Sequence, residues 1–366
     1  MNITESGQLS QRTAAPVRGA GSAVRFTAIL GALVVTAGLF LYAGAWFTPH
    51  KLTPAGIIHT FEYLNGVHPG FRRNHAKGVC VTGYFESNGQ GQALSKAQVF
   101  RPGRVDILGR FALAGGKPFA DDTPQTIRSL AILFQQADGE EWRTAMVNIP
   151  VFVVKTPREF NEFQLASSPD PATGKNIPGA MHAFLASHPE TAAALQVIGQ
   201  HPFSSGFGDS PYYALNAFRF VNAQGESTPV RWFVKPEQTF APNSAAATGK
   251  NYLFDGLIAQ LHAKPLRWHL ILILGQPGDP TDDATLAWPP DRKQIDAGML
   301  TINTIESEDT SPTRDINFDP LVLPDGISPS DDPLLSARSA AYSQSFTRRE
   351  GEHKTPSAIS TAEVAK

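Results

Sequence analysis

The sequence predicts an α+β chain: a closed antiparallel barrel or sandwich with helices around it, placed behind one N-terminal transmembrane or signal helix. Three observations carry that reading. Short runs of alternating or β-branched residues recur with turn residues between them, the mark of many short antiparallel strands. Stretches of helical character interrupt them in the second half of the chain. A run of uncharged, mostly apolar residues, Ala28 to Phe47, stands near the N-terminus.

That run is about the length a helix needs to cross a bilayer at ~1.5 Å per residue, and the anchor is placed at 26–47. Arg12, Arg18 and Arg25 precede it, so residues 1–25 read as a cytoplasmic tail. A cleaved signal is the rival reading, because Ala43-Gly44-Ala45 offers a small-residue processing site. The run exceeds the usual ~7 to 15 residue core of such a signal, which favours a retained single-pass anchor. Either way the rest is exported to the periplasmic side of the inner membrane, anchored or, after cleavage, soluble.

Past Pro54, Val79 to Glu86 alternates apolar and small residues and ends at Ser87-Asn88-Gly89, a hairpin-turn signal because Asn and Gly accept positive φ. Further strands are expected at 104–114, 129–135, 144–154, 217–221, 230–234 and 268–274, and helices at 177–187, 190–200 and 250–263. The Pro- and Asp-rich stretch 275–290 reads as a surface loop. Residues 351–366, rich in Ser, Thr, Glu, Lys and Ala, read as a disordered tail.

Composition narrows the function. With 366 residues and 42% hydrophobic content the chain can bury a large core, as one big domain or two ordinary ones. A formal charge of -2 with no Lys/Arg block argues against nucleic acid as a partner. The single cysteine, Cys80, excludes an internal disulfide and cysteine-rich metal sites.

The stretch Arg72 to Glu86 holds Arg-Arg-Asn-His-Ala-Lys-Gly followed by a strand containing Gly83-Tyr84-Phe85. Asn148-Ile149-Pro150 follows, with Phe152 and Phe160 after it. From Asn317 the chain reads Phe-Asp-Pro, then a Gly-Ile-Ser-Pro-Ser segment, then a helix in which Pro333 suits the first turn and Arg338 and Tyr342 are i,i+4 neighbours on one face. Arg349, seven residues on, shares that face. A guanidinium beside a phenol favours the phenolate.

These three elements, in this order, resemble the haem catalases, and the short chain is similar to their small catalase-related peroxidase subfamily. The resemblance covers about 54–350, giving a catalase-like domain at 51–350, and it implies an antiparallel β-barrel of the haem catalase type with surrounding helices. It implies heme b as cofactor, with Tyr342 as axial ligand to the iron. Arg72, Arg110, Phe152, Phe160, Arg338 and Arg349 match positions around the cofactor, Arg72 and Arg110 toward its propionates. His75 and Asn148 match the catalytic pair of the distal side. The activity implied is peroxidase: reduction of organic hydroperoxides and hydrogen peroxide through a ferryl intermediate, with a small-molecule electron donor and weak catalase activity.

Two departures bear on substrate. The family's serine two residues after the position of Arg110 is Ala112 here, so His75 is expected to lack its orienting hydroxyl. Ala114 stands where a valine narrows the family's channel, and Asn74 replaces an apolar residue, so a wider, more polar entrance and a preference for bulky hydroperoxides are expected. An exported haem-binding or haem-transfer protein without catalysis is the alternative; it would use Tyr342 and Arg338 but not His75 and Asn148. A homo-oligomer is compatible with the sequence. Gly89-Gln90-Gly91 is read as turn, and His182 and His188 as ordinary surface residues.

Overall fold

The computed structural model describes residues 20–43, 52–243 and 249–366. The chain divides into a unit ending at Thr53 and a larger unit, Pro54–Lys366. In the first, helix α1 (Ala20–Ala43) carries an apolar stretch, Ala23–Ala43, long enough to cross a membrane. Most of the 1–25 tail, the end of the expected anchor at 44–47 and part of the Ala43-Gly44-Ala45 site lie outside the described residues.

The larger unit begins with α2 (Pro54–Asn65) and is built on ten strands: β1 (Gly78–Ser87), β2 (Gly103–Leu113), β3 (Arg128–Gln135), β4 (Glu141–Val147), β5 (Tyr212–Tyr213), β6 (Phe218–Val221), β7 (Ser227–Pro236), β8 (Leu266–Leu274), β9 (Gln294–Glu306) and β10 (Ile327–Pro329). All pairings are antiparallel, and the order β1-β2-β3-β4-β5-β7-β8-β9 closes where β9 pairs β1, leaving β6 and β10 on the flank of β7. Closure removes the sheet edges. The helices are α3 (Pro157–Ser167), α4 (Ala180–Ser187), α5 (Pro189–Gln200), α6 (Tyr252–Ala263), α7 (Pro333–Glu350) and α8 (Thr361–Val364).

Strand alternation decides what fills the barrel and what faces out of it. Val79, Val81, Phe111, Leu130, Ile132, Trp142 and Trp232 belong to one fully packed core. Large rings interdigitate there: Phe134 stacks on Trp142 with centroids 4.7 Å apart, and Trp142 meets Trp232 edge-on at 5.2 Å. The barrel is therefore solid, and any ligand must bind outside it.

Several expectations need correcting. The turn signal at Ser87-Asn88-Gly89 does not close a tight hairpin. Asn88 Oδ1 accepts the Gln90 amide and Gly89 takes φ 83°, but the chain then runs through two short 3₁₀ turns before β2 pairs back from Gly103 opposite Ser87. The strand expected over 144–154 stops at Val147, before Pro150, which has no N–H to give a ladder.

The tail 351–366 is not a disordered appendage but is folded onto the domain. Ile359 is fully buried, Ser307 Oγ donates to its carbonyl at 2.7 Å, and α8 carries a capping box between Ser360 and Glu363. Two apolar residues in the right places, Ile359 and Val364, anchor a segment whose composition alone looks solvated.

Candidate active site

A cavity of about 580 Å³ lies between the outer face of β2, β3 and β4 and helix α7, with α2, α3 and α5 contributing further walls. Eight of the nine residues singled out in the sequence line it: Arg72, His75, Arg110, Phe152, Phe160, Arg338, Tyr342 and Arg349. Asn148 does not, although Val147 and Ile149 on either side do. Its Oδ1 accepts the Arg128 amide at 2.8 Å, and its own amide donates to the Arg128 carbonyl at 3.0 Å. With the oxygen committed, only the Nδ2 donor end is left for a guest.

The sheet face of the cavity follows from register. Ala112 pairs with Ser129 and Ser129 with Val147, while Arg110 pairs with Ala131 and Ala131 with Ala145, so two rows of mostly small side chains share the outward face. Such a floor admits a flat group. Opposite it, α7 presents Leu334, Ala337, Arg338, Ala341, Tyr342, Ser345, Phe346 and Arg349, a stripe at helical spacing. Asp332 caps this helix, its Oδ1 accepting the Leu334 amide at 2.8 Å, and its Oδ2 accepts Asn216 Nδ2 at 2.7 Å. Asn216 Oδ1 in turn accepts from Arg338, which also reaches the Ala145 carbonyl. Phe152 stacks on Phe160 at 5.7 Å between centroids.

His75 sits just before β1 with a left-handed backbone, φ 55°. Ser129 Oγ lies 3.1 Å from its Nδ1 and donates to the Ala112 carbonyl at 3.2 Å. With the serine proton on that carbonyl, the imidazole donates in the other bond and Nδ1 carries the hydrogen; the Leu113 backbone offers the ring a further hydrogen bond. In that arrangement Nε2 is the ring nitrogen that can act as a base. This corrects the expectation that Ala112 deprives His75 of an orienting hydroxyl: the hydroxyl comes from the cross-strand partner of Ala112. Burial, reinforced by the positive charges of Arg110, Arg338 and Arg72, pushes the imidazole from 6.5 down to about 3, so it is neutral at physiological pH.

The remaining motif residues divide by direction. Arg72 donates to Glu308 at 2.8 Å and to the carbonyls of Arg314 and Ile316. Arg110 grips Glu308 with two nitrogens, at 2.8 and 3.1 Å, and holds the His75 carbonyl at 2.8 Å. Gly78 makes room for this, since a β-carbon there would meet the Arg110 guanidinium at 2.5 Å. Arg73 turns away to Glu62 and Glu352, and Lys77 is a structural cation buried on Asp122 and two carbonyls.

Glu308, which sequence reasoning missed, is surrounded by Arg72, Arg110 and, at longer range, Arg349. Burial and mutual repulsion hold Arg72 well below its usual basicity, and Arg349 is lowered mainly by burial. Three guanidiniums converge on this one carboxylate, and Asp315 and Glu350 are further acidic neighbours of Arg349. Arg349 Nε is buried without a hydrogen-bond partner among the described residues.

Comparison with known proteins agrees with this geometry. The Catalase family profile matches residues 69–361. A catalase-related peroxidase of Synechococcus elongatus is 36% identical over 87% of this chain and 94% of its own length. A catalase-related peroxidase of Mycolicibacterium paratuberculosis is 29% identical over 82% of this chain and 96% of its own. The crystal structure of a fungal catalase superposes with a TM-score of 0.70 at 20% identity, over 86% of this chain and 67% of that one. The chain belongs to the catalase family.

Proposed function

We propose that this protein is a haem-dependent peroxidase that reduces organic hydroperoxides and hydrogen peroxide, with only weak catalase activity. The observation that carries the reading is the cavity itself, which brings a neutral imidazole and a phenol, Tyr342, with no hydrogen-bond partner among the described residues, onto the walls of one space. Catalase-family proteins typically bind haem, and the residues fit one. Small side chains on the sheet, aromatic walls at Phe152 and Phe160, the clustered Arg72, Arg110 and Arg349 and the orphaned Arg349 Nε suit a flat apolar dianion. Tyr342 would hold the iron of heme b, and Arg72, Arg110 and Arg349 would answer the propionates. Such a haem would supply the electrons that O–O cleavage consumes.

The protein's own work is proton management. His75 Nε2 takes the proton of the hydroperoxide O–H and returns it to the oxygen that departs as water or alcohol. Asn148 does not line the cavity itself; with Oδ1 tied to Arg128, only its Nδ2–H is left as a donor. Acid–base transfer by a positioned side chain typically contributes ~100- to 10,000-fold in rate. A small-molecule donor returns the electrons.

We further read α1 as exporting the domain to the periplasmic side, as anchor or signal, which N-terminal sequencing of mature protein tests. For the chemistry, the test is spectroscopic and kinetic. His75→Ala should keep haem and lose hydroperoxide turnover, whereas Tyr342→Phe should lose haem and leave the fold intact. Full turnover by His75→Ala would reject the acid–base role, and oxygen evolution that outpaces peroxidase turnover would reject the peroxidase preference. A haem-loaded wild type inert to every hydroperoxide would favour the haem-transfer alternative.

A further inference from the structure

His75 and Leu215 are the two non-glycine residues with left-handed backbone among the described residues. In that region the β-carbon crowds the following carbonyl, so surrounding bonds must hold the residue there. Asn74 provides them. Its Oδ1 accepts the His75 amide at 3.0 Å and the Gly115 amide at 2.9 Å. The Ala76 amide donates to the Gly115 carbonyl at 3.0 Å, and the Leu113 amide to the Lys77 carbonyl at 3.1 Å. One carboxamide oxygen therefore ties the turn at His75 to the chain leaving β2.

The left-handed turn aims the His75 amide away from any strand ladder, and β1 begins only at Gly78. Asn74 Oδ1 is its acceptor. An apolar residue at 74 would leave two amides without that oxygen, and the turn would relax toward ordinary φ values, carrying the imidazole with it. Asn74 lines the cavity beside His75, so its effect falls on the residue that faces the guest. The expected polar widening of the entrance is thus only part of its role, because its oxygen is consumed by backbone.

We propose that Asn74 is a positioning residue for His75: it sets the backbone from which the imidazole projects, while Ser129 sets the rotation and tautomer of the ring. The proposal rests on the reading of His75 as the acid–base group. It places a side-chain brace one residue before the histidine.

The test compares wild type, His75→Ala, Asn74→Ala and Asn74→Asp as full-length proteins, with tert-butyl hydroperoxide as substrate and rates expressed per bound haem. Asn74→Ala should lower kcat about tenfold with little change in KM, the loss of roughly one hydrogen bond's worth of orientation. Asn74→Asp keeps an acceptor oxygen in place and should recover kcat at neutral pH. It should also move the acid limb of kcat upward, because a carboxylate beside the imidazole favours its protonated form. In the haem-free protein, Asn74→Ala should speed hydrogen exchange at the His75 and Gly115 amides but not at Leu113, and Asn74→Asp should restore protection.

Wild-type kcat in Asn74→Ala together with an inactive His75→Ala overturns the proposal while leaving the acid–base reading intact. An Asn74→Asp enzyme as slow as Asn74→Ala, with unprotected amides, overturns it as well. A His75→Ala enzyme as fast as wild type removes the acid–base reading and the proposal with it.

Discussion

Replacing Ser129 with Ala isolates the hydroxyl that fixes the tautomer of His75. In the native site Ser129 Oγ donates to the Ala112 carbonyl at 3.2 Å and accepts from His75 Nδ1–H at 3.1 Å. Removing it loses a neutral hydrogen bond worth about 1 kcal/mol net and frees the ring to place its proton on Nε2, where no base is then presented. About 1.4 kcal/mol of lost transition-state stabilisation is a tenfold loss in kcat/KM, so a five- to thirtyfold drop is expected for roughly 1 to 2 kcal/mol. The register supplies a rescue. Ala112 pairs directly with Ser129 on the same face, their β-carbons within the ~4.5 to 5.5 Å of a cross-strand pair, so Ala112→Ser added to Ser129→Ala returns a hydroxyl to the same side of the ring. The assay is kcat/KM for an organic hydroperoxide per bound haem, with haem content and melting temperature checked for each protein. Ser129→Ala within twofold of wild type, or a double variant no faster than the single one, would refute the hydroxyl's role.

Two further perturbations follow from the same structure. Because burial and the arginines lower His75 from 6.5 to about 3, the folded protein binds fewer protons than the unfolded chain between those values. The stabilisation that comes from keeping this imidazole neutral is complete above pH 6.5 and lost as pH falls toward 3; His75→Asn should flatten that part of a denaturation-versus-pH profile, and an unchanged profile would count against the shift. Ending the chain after Glu352 keeps the partner of Arg73 but removes Ile359 and Val364 from the core; at about 1.5 to 3 kcal/mol each the loss is roughly 3 to 6 kcal/mol, and an unaltered melting temperature would contradict the packing of the tail.

Most barrel strands were legible as short apolar runs between turn residues: burial alternates cleanly in β4, whereas β1, β2, β3 and β8 each carry stretches buried on both faces. β9 escaped notice because Asp296 and Gly298 interrupt its apolar residues where the β8 pairing slips register. Helices α2 and α3 were missed since their apolar faces are spent on the cavity as much as on the core. The site's chemistry was legible wherever a local motif fixed it: the spacing of Arg338, Tyr342 and Arg349 already puts them on one stripe of α7. Ser129 and Glu308 were not, because their meaning depends on which strand lies beside β2 and which loop folds under Arg72. No local pattern encodes either.

Arg110 joins the two halves of the site. Its guanidinium holds the His75 carbonyl at 2.8 Å and Glu308 with two nitrogens, so the proton acceptor and the charged cluster are braced by one side chain. Arg110 is also the first of the charges that depress His75, after burial itself, with Arg338 and Arg72 behind it. Glu308 is shared among the three guanidiniums around it, with Asp315 and Glu350 acting on Arg349 as well. A guest that brings two carboxylates to Arg72, Arg110 and Arg349 would cancel part of the field acting on the imidazole while leaving its burial in place. The pKa of His75 should then rise from about 3 yet stay below the ordinary 6.5, since the largest cause of the shift is untouched. Binding an acidic cofactor would thus make His75 a stronger base without making it a cation at neutral pH, and the acid limb of turnover should fall between those two values.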